Sequence, residues 1–255
     1  MITRSHPVRL SINQLSGAVI DLDQRNKIFM DTLKQIQDIP LFQGLSKDVL
    51  EALSRRVLIG TYQPGEVIVA ETDLVKAFFV VISGQVKLSK SSIEGKEQTL
   101  YLLGQGEPFG LCTAFATHDF PAEALALKKS DILTIPGAAV EEIVMKEPAL
   151  LLNILKVLSN RLKESMSLIE SLALKEIPQR LASFIILTQV REHKGKGGSI
   201  ELPITHRELS KILGSTPEAL SRALRKMQND GILDVQGRMI TILDYKALEE
   251  LSEGE

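Results

Sequence analysis

The chain has 255 residues, 44% of them hydrophobic and 24% charged, with a formal net charge of −2. That length carries one large or two modest domains with cores of their own, and the charge excludes a uniformly basic nucleic-acid coat while leaving local patches open. A single cysteine, Cys112, excludes an internal disulfide and a cysteine-ligated zinc site or iron–sulfur cluster within one chain. No apolar run approaches the ~18 residues of a membrane span, and no cationic stretch leads into a long apolar run at the N-terminus. A cytoplasmic protein without membrane partners is therefore expected.

Residues 1–30 are mixed and polar, and read as an N-terminal arm, either flexible or a short helix. The stretch "DTLKQIQDIPLFQGLSKDVLEALSRRV" has helical periodicity broken at Pro40 and Gly44, which predicts two short helices. From Leu58 to about Ile135 the pattern becomes short β-rich runs, among them "AFFVVISG", "QVKLSKS" and "ILTIPG", punctuated by glycines. Strands of that length and spacing predict an antiparallel barrel or sandwich, so residues 31–145 are expected to form one domain.

A long helix is expected over 146–175, with Pro148 in its first turn. Leu151, Leu155, Leu158, Leu162, Ser165, Ile169 and Leu172 follow at alternating steps of four and three, the seam of a two-stranded parallel coiled coil. A helix buried against its own domain would show a broader 3.6-residue face, and Leu152, Ile154, Val157 and Met166 do broaden the apolar side. Contact with both a partner helix and the chain's own barrel is expected, hence a homodimer.

Pro178 starts another helix, and after the turn segment "HKGKGGS" the pattern reads strand, helix, tight turn, helix and hairpin over residues 176–255. Thr205 followed by Glu208 is a capping box, Gly214 suits a sharp turn, and Thr216 with Pro217 starts a second helix. Two helices joined by a glycine turn and flanked by a hairpin make a winged helix-turn-helix. Leu220, Leu224 and Met227 take the inner face of the second helix, leaving Glu218, Ser221, Arg222, Arg225 and Lys226 outward. Carboxylate and guanidinium groups there suit base edges in a major groove, whereas an ordinary solvated helix would show the same residues as i,i+4 ion pairs. The surrounding helix-turn-helix grammar favours DNA. Thr205, His206, Arg207, Ser215, Thr216 and Pro217 fall on the same DNA-facing side, with His206 expected at a phosphate. Local charge agrees: residues 177–243 hold ten Lys and Arg against six Asp and Glu, masked in the total by an acidic tail.

With "IPLFQGLSKDVLEAL", "GEVIVAE", "FFVVISGQVKL", "GQGEPFG" and "ITHRELSKILGSTPEALSRAL" in this order, the chain resembles the CRP/FNR family of bacterial transcription regulators from about residue 33 to 248. The resemblance implies an α+β chain with a cyclic-nucleotide-binding-like β-roll, a long dimerisation helix and a C-terminal winged helix-turn-helix. It also implies a pseudo-palindromic double-stranded DNA site and activation through RNA polymerase. Glu218, Ser221 and Arg222 behind Pro217 resemble the FNR-type reading helix, whose half-site looks like TTGAT; Arg222 and Glu218 are then expected at its central G·C pair.

The family's nucleotide pocket uses a glutamate and an Arg-Ser pair. By resemblance these positions are Leu111 here, then Phe120 and Pro121. Each replacement removes a group that a buried ribose or phosphate needs, so cyclic AMP is not expected. The expected effector pocket comprises Phe109, Gly110, Leu111, Cys112, Phe120, Pro121 and Ala122, with Ser165, Met166 and Ile169 from the long helix. Apolar pockets of this kind resemble haem-bound nitric-oxide sensors of the DNR type and sensors of halogenated aromatic compounds, and the sequence looks closer to the first. Haem, sensing nitric oxide or redox state, is therefore the expected cofactor, with no iron–sulfur cluster. His118, Cys112, Met166 and His6 are candidate axial ligands, none singled out. The remaining alternatives are a regulator sensing a small apolar or aromatic molecule directly, and an allosteric ligand-binding module without a DNA role. No activated nucleophile or metal triad is present in the pattern, so no enzymatic activity is expected.

Overall fold

The β-rich runs have apolar side chains on both faces of their strands, as the central "FFVV" shows, and such strands need cover on both sides. In the computed structural model, which describes residues 22–115, 119–191 and 197–254, they form eight strands. These are β1 (Leu58–Tyr62), β2 (Val67–Val69), β3 (Ala77–Ser83), β4 (Val86–Ser91), β5 (Glu97–Leu103), β6 (Pro108–Phe109), β7 (Glu123–Ala126) and β8 (Ser130–Pro136). They make two four-stranded sheets, β1-β8-β3-β6 and β2-β7-β4-β5. β3 is central: it pairs antiparallel with β8 from Ala77↔Pro136 to Ser83↔Asp131, and with β6 through Phe79↔Phe109. The chain divides into two units, one running through Lys90 and including Tyr101–Leu162, the other combining Ser91–Leu100 with everything after Leu162.

The first unit adds α1 (Leu22–Gln37), a 3-10 turn at Pro40–Phe42, α2 (Lys47–Ser54), α3 (Leu111–Phe115), α4 (Gly137–Lys146) and the first half of α5 (Pro148–Leu174). The breaks expected at Pro40 and Gly44 both occur. α1, however, starts at Leu22, inside the stretch read as an arm. Ile36, Phe42, Leu53, Phe78, Leu133, Ile135, Leu150 and Ile154 form one buried cluster, so the start of α5 belongs to the core of the roll. Asn153 fixes it there, its Nδ2 donating to the carbonyls of Leu41 at 3.1 Å and Gln43 at 3.0 Å.

The second unit holds the rest of α5, then α6 (Ile177–Arg191), β9 (Gly198–Glu201), α7 (His206–Ile212), α8 (Pro217–Asn229), β10 (Leu233–Gln236), β11 (Met239–Ile242) and α9 (Tyr245–Glu253). Its sheet has the order β10-β11-β9. Leu181, Ile185, Ile200, Leu209, Leu220, Met227 and Leu248 are buried within it. The acidic tail is itself a helix, because Asp244 caps it by accepting from the backbone N–H of Ala247 at 3.0 Å.

Helix ends leave carbonyls without partners, and one guanidinium serves two of them here. Arg180 donates from Nε to Lys175 O at 2.8 Å, from Nη2 to Leu172 O at 2.9 Å and from Nη1 to Leu213 O at 2.9 Å. It thereby ties the end of α5, the following turn and the end of α7 with the fixed fork of donors that only arginine offers. Lys175 Nζ completes the joint, donating to Ser252 O at 2.7 Å and Ser183 Oγ at 3.1 Å. Arg180→Gln strands part of this set and should cost about 2 kcal/mol or more. Urea unfolding followed in the C-terminal unit should show a lower midpoint; an unchanged midpoint would contradict this role.

Candidate nucleic-acid interface and effector pocket

The turn between α7 and α8 is built from three local devices. Thr205 Oγ1 accepts from Glu208 N–H at 3.2 Å, and Thr216 Oγ1 accepts from Ala219 N–H at 3.3 Å. Gly214 lies between them at φ +60°, and a Cβ there would sit 2.7 Å from Leu172 Cδ2. The backbone angle favours glycine there, whereas the leucine tip could move aside. Within the same unit, Lys211 Nζ lies 2.7 Å from Glu97 Oε2 and 2.8 Å from Glu208 Oε1, and Gln98 Nε2 donates to Ile212 O at 3.1 Å.

α8 separates its faces as its periodicity predicts. Leu220, Ala223, Leu224 and Met227 are buried, whereas Glu218, Ser221, Arg222, Arg225 and Lys226 are all exposed. The hydrogen bond from its own backbone N–H at the helix start, together with Thr216 and nearby Arg222, holds the Glu218 carboxyl below its usual range. It is therefore an ionised acceptor beside a guanidinium, the pair that can address cytosine N4 and guanine O6 and N7. Thr205, Arg207, Thr216 and Pro217 are exposed and Ser215 is half-buried on the same approach. His206 differs from expectation: its Nε2 is buried, with no hydrogen-bond partner among the described residues. Only its other ring nitrogen is left for a phosphate.

The second site is a cavity of about 190 Å³ in the first unit. Phe109 stacks on Phe79 at 5.1 Å between centroids, and Phe120 meets both rings edge-on at 6.3 and 6.5 Å. Gly110, at φ +73°, leaves room for that cluster, since a Cβ there would lie 3.0 Å from Phe120. The lining brings together the expected Phe109, Gly110, Leu111, Cys112, Phe120, Pro121 and Ala122, with Leu88, Tyr101, Pro108, Val157, Leu158 and Arg161.

Ser165, Met166 and Ile169, expected there from α5, are not among the described lining residues. The helix presents Val157, Leu158 and Arg161, a single turn, and the Arg161 guanidinium lies 4.7 Å over the Tyr101 ring at that end. Met166 and Ile169 are instead exposed and Ser165 is half-buried. Arg161 was missed because the heptad pattern drew attention to its apolar neighbours. Its place one turn before Ser165 is the signal that marks it. Tyr101 comes from a strand distant in sequence and has no local signal.

Of the candidate metal ligands, Cys112 is an exposed lining residue and Met166 lies off the cavity. His6 and His118 lie outside the described residues. Among the described residues no group of three or more His, Cys, Asp or Glu side chains is arranged to hold a metal ion. The seam of α5 is open in the single chain, with Leu151, Leu155, Leu158, Leu162 and Ile169 between 43% and 67% exposed. Leu172 and Ser165 on the same line are half-buried.

Residues 179–251 match the family model of the Crp-like helix-turn-helix domain, and residues 59–147 match that of the cyclic nucleotide-binding domain. The chain is 32% identical over 193 residues to the anaerobic regulatory protein of Pasteurella multocida, covering 74% of this chain and 70% of that one. It is 27% identical over 215 residues to the cyclic AMP receptor protein of Thermus thermophilus, covering 84% and 97%. Among solved structures, a CooA mutant from Carboxydothermus hydrogenoformans superposes with a TM-score of 0.70 at 27% identity, covering 82% and 92%.

The exposed face of α8 carries two chemistries, Glu218 with Arg222 in its first turns and the cations Arg225 and Lys226 beyond them. On a TTGAT-type palindrome, Arg222→Ala should cost about 1–3 kcal/mol and relax preference at the central G·C pair. Lys226→Ala should weaken all sequences alike and flatten the salt dependence. Anisotropy titrations over a base-substitution series check both, and equal losses on every sequence for the two variants would contradict the division of roles.

Proposed function

The chain belongs to the CRP/FNR family of ligand-responsive, DNA-binding transcription regulators, and we propose from that premise that it works as a homodimer gated by a small apolar effector. The observation that carries this reading is the double position of Leu158. It lines the cavity, and it is also a member of the exposed leucine seam. A molecule entering the cavity changes what Leu158 packs against, and so changes the face that α5 offers a second copy. Each protomer contributes one α8, and a palindrome requires the two about 34–36 Å apart, one turn of DNA. A change along the paired helices alters that spacing, which is how occupancy becomes DNA affinity. Glu218, Ser221 and Arg222 support an FNR-like half-site of the TTGAT kind, with activation through RNA polymerase.

The lining argues against a cyclic nucleotide, because aromatic and aliphatic side chains stand where a ribose and a phosphate need polar partners. It also fits haem poorly. An apolar cavity of about 150 Å³ takes up benzene, so about 190 Å³ readily holds one ring. Cys112 supplies the only thiol or imidazole among the described lining residues. The direct sensing of a small organic molecule therefore stands ahead of haem-mediated sensing. Protein purified without oxygen, mixed with haem and then desalted should retain no Soret band.

Leu155 tests the dimer without touching the cavity, since it is on the seam and not among the lining residues. Leu155→Asp should sediment as a monomer and bind the full palindrome on the order of a hundredfold more weakly, the loss of bivalent binding. A variant that stays dimeric, or a monomer that binds the palindrome as tightly as the parent, would overturn the proposal.

A further inference from the structure

A helix that stops inside a folded unit leaves its last carbonyls without helical partners, so each must be met by something else. In α7 the following turn meets three of them. Leu209 O accepts from Leu213 N–H at 3.0 Å, Ser210 O from Ser215 N–H at 2.9 Å and Lys211 O from Gly214 N–H at 3.4 Å. The next two carbonyls are met by side chains from outside the helix-turn-helix. Leu213 O accepts from Arg180 Nη1 at 2.9 Å, and Ile212 O accepts from Gln98 Nε2 at 3.1 Å.

Gln98 lies on β5, in the segment Ser91–Leu100 that belongs to the same unit as α7 and α8. Its amide nitrogen carries two donors, and it also donates to Thr99 O on its own strand at 2.9 Å. With both donors used the amide plane is fixed, and Oε1 lies over Gly214, 3.0 Å from where a Cβ would stand. Leu172 Cδ2 and Arg180 Nη1 close on the same glycine, 2.7 and 3.5 Å from that point. Glu97, the preceding residue, ties the strand to α7 again, its Oε2 2.7 Å from Lys211 Nζ.

We propose that Gln98 is a positioning residue for base reading, acting through the turn that aims α8 rather than on the DNA. This rests on the reading of α8 given above and adds a residue that determines its specificity. Ile212 stands two residues before Gly214, and Pro217 opens α8 three residues after it. A turn this short passes a shift of the Ile212 carbonyl on to the first turns of α8, where Glu218, Ser221 and Arg222 are exposed. Bidentate contacts to base edges need their groups held to within about 0.5 Å by surrounding hydrogen bonds. Contacts to phosphates carry no sequence information, and a flexible side chain such as Lys226 follows a small displacement. Loss of the Gln98 bond therefore weakens discrimination between bases before it weakens attraction to the backbone.

Gln98→Met keeps the length and most of the shape of the side chain and removes both donors. Anisotropy titrations of the full chain compare the TTGAT-type palindrome with the same palindrome carrying exchanged central G·C pairs. The parent should prefer the first DNA by about tenfold or more. Gln98→Met should cut this preference to about threefold or less and leave the slope of affinity against salt unchanged. Lys226→Ala is the contrast, since it should keep the preference and lower the slope. A ratio of affinities does not depend on the fraction of active protein, so partial unfolding cannot imitate the loss. A Gln98→Met variant that keeps the parent's preference, whatever its overall affinity, would overturn the positioning role while the reading of α8 stands. A parent without preference between the two DNAs would overturn both.

Discussion

Helix α5 carries apolar side chains on two sides, and one chain can cover only one of them. Leu150 and Ile154 are buried against the roll, where Asn153 fixes the helix by two hydrogen bonds to the carbonyls of Leu41 and Gln43. Leu151, Leu155, Leu158 and Leu162 stay exposed. A fully buried leucine is worth about 1.5–3 kcal/mol, so a row of them left in water on a regular 3.5-residue repeat is a strong demand for a second helix. The cavity wall and the exposed leucine row are therefore two faces of the same element, with Leu158 belonging to both.

The far end of α5 is tied as firmly as its beginning. Its 27 residues span about 40 Å at 1.5 Å per residue, and its last carbonyls end in the Arg180 fork. The same guanidinium holds Leu213 O, immediately before Gly214 and the start of α8. Any displacement of the end of α5 thus acts on the turn that aims Glu218, Ser221 and Arg222. The exposed, ionised state of Glu218 and the buried inner face of α8 keep the reading surface itself constant.

What was legible in the sequence is what local chemistry determines. Thr205, Gly214, Thr216 and Pro217 encode their turn within a dozen residues, and the leucine seam repeats every seven. The strands were legible as a class, since runs such as "AFFVVISG" have no other stable use. The cavity was half legible. Phe109 to Cys112 and Phe120 to Ala122 are neighbours in sequence, but Tyr101, Leu88 and Arg161 meet them only through the fold. Ser165, Met166 and Ile169 are expected there only by resemblance, and the described lining on α5 comprises Val157, Leu158 and Arg161. The helix at the acidic tail was hidden by its charge, although Asp244 is an ordinary cap.

In the proposed mechanism the contents of the cavity are felt at the DNA, and this can be measured without knowing the effector. Ala122 is buried on the cavity wall, and Ala122→Leu places extra methylenes into its space. The operator affinity of this variant, measured by anisotropy on a folded dimer, should differ from that of the parent by about fivefold or more, the lower range of allosteric coupling. A folded dimer with a filled cavity and an unchanged operator affinity would contradict the account at its centre.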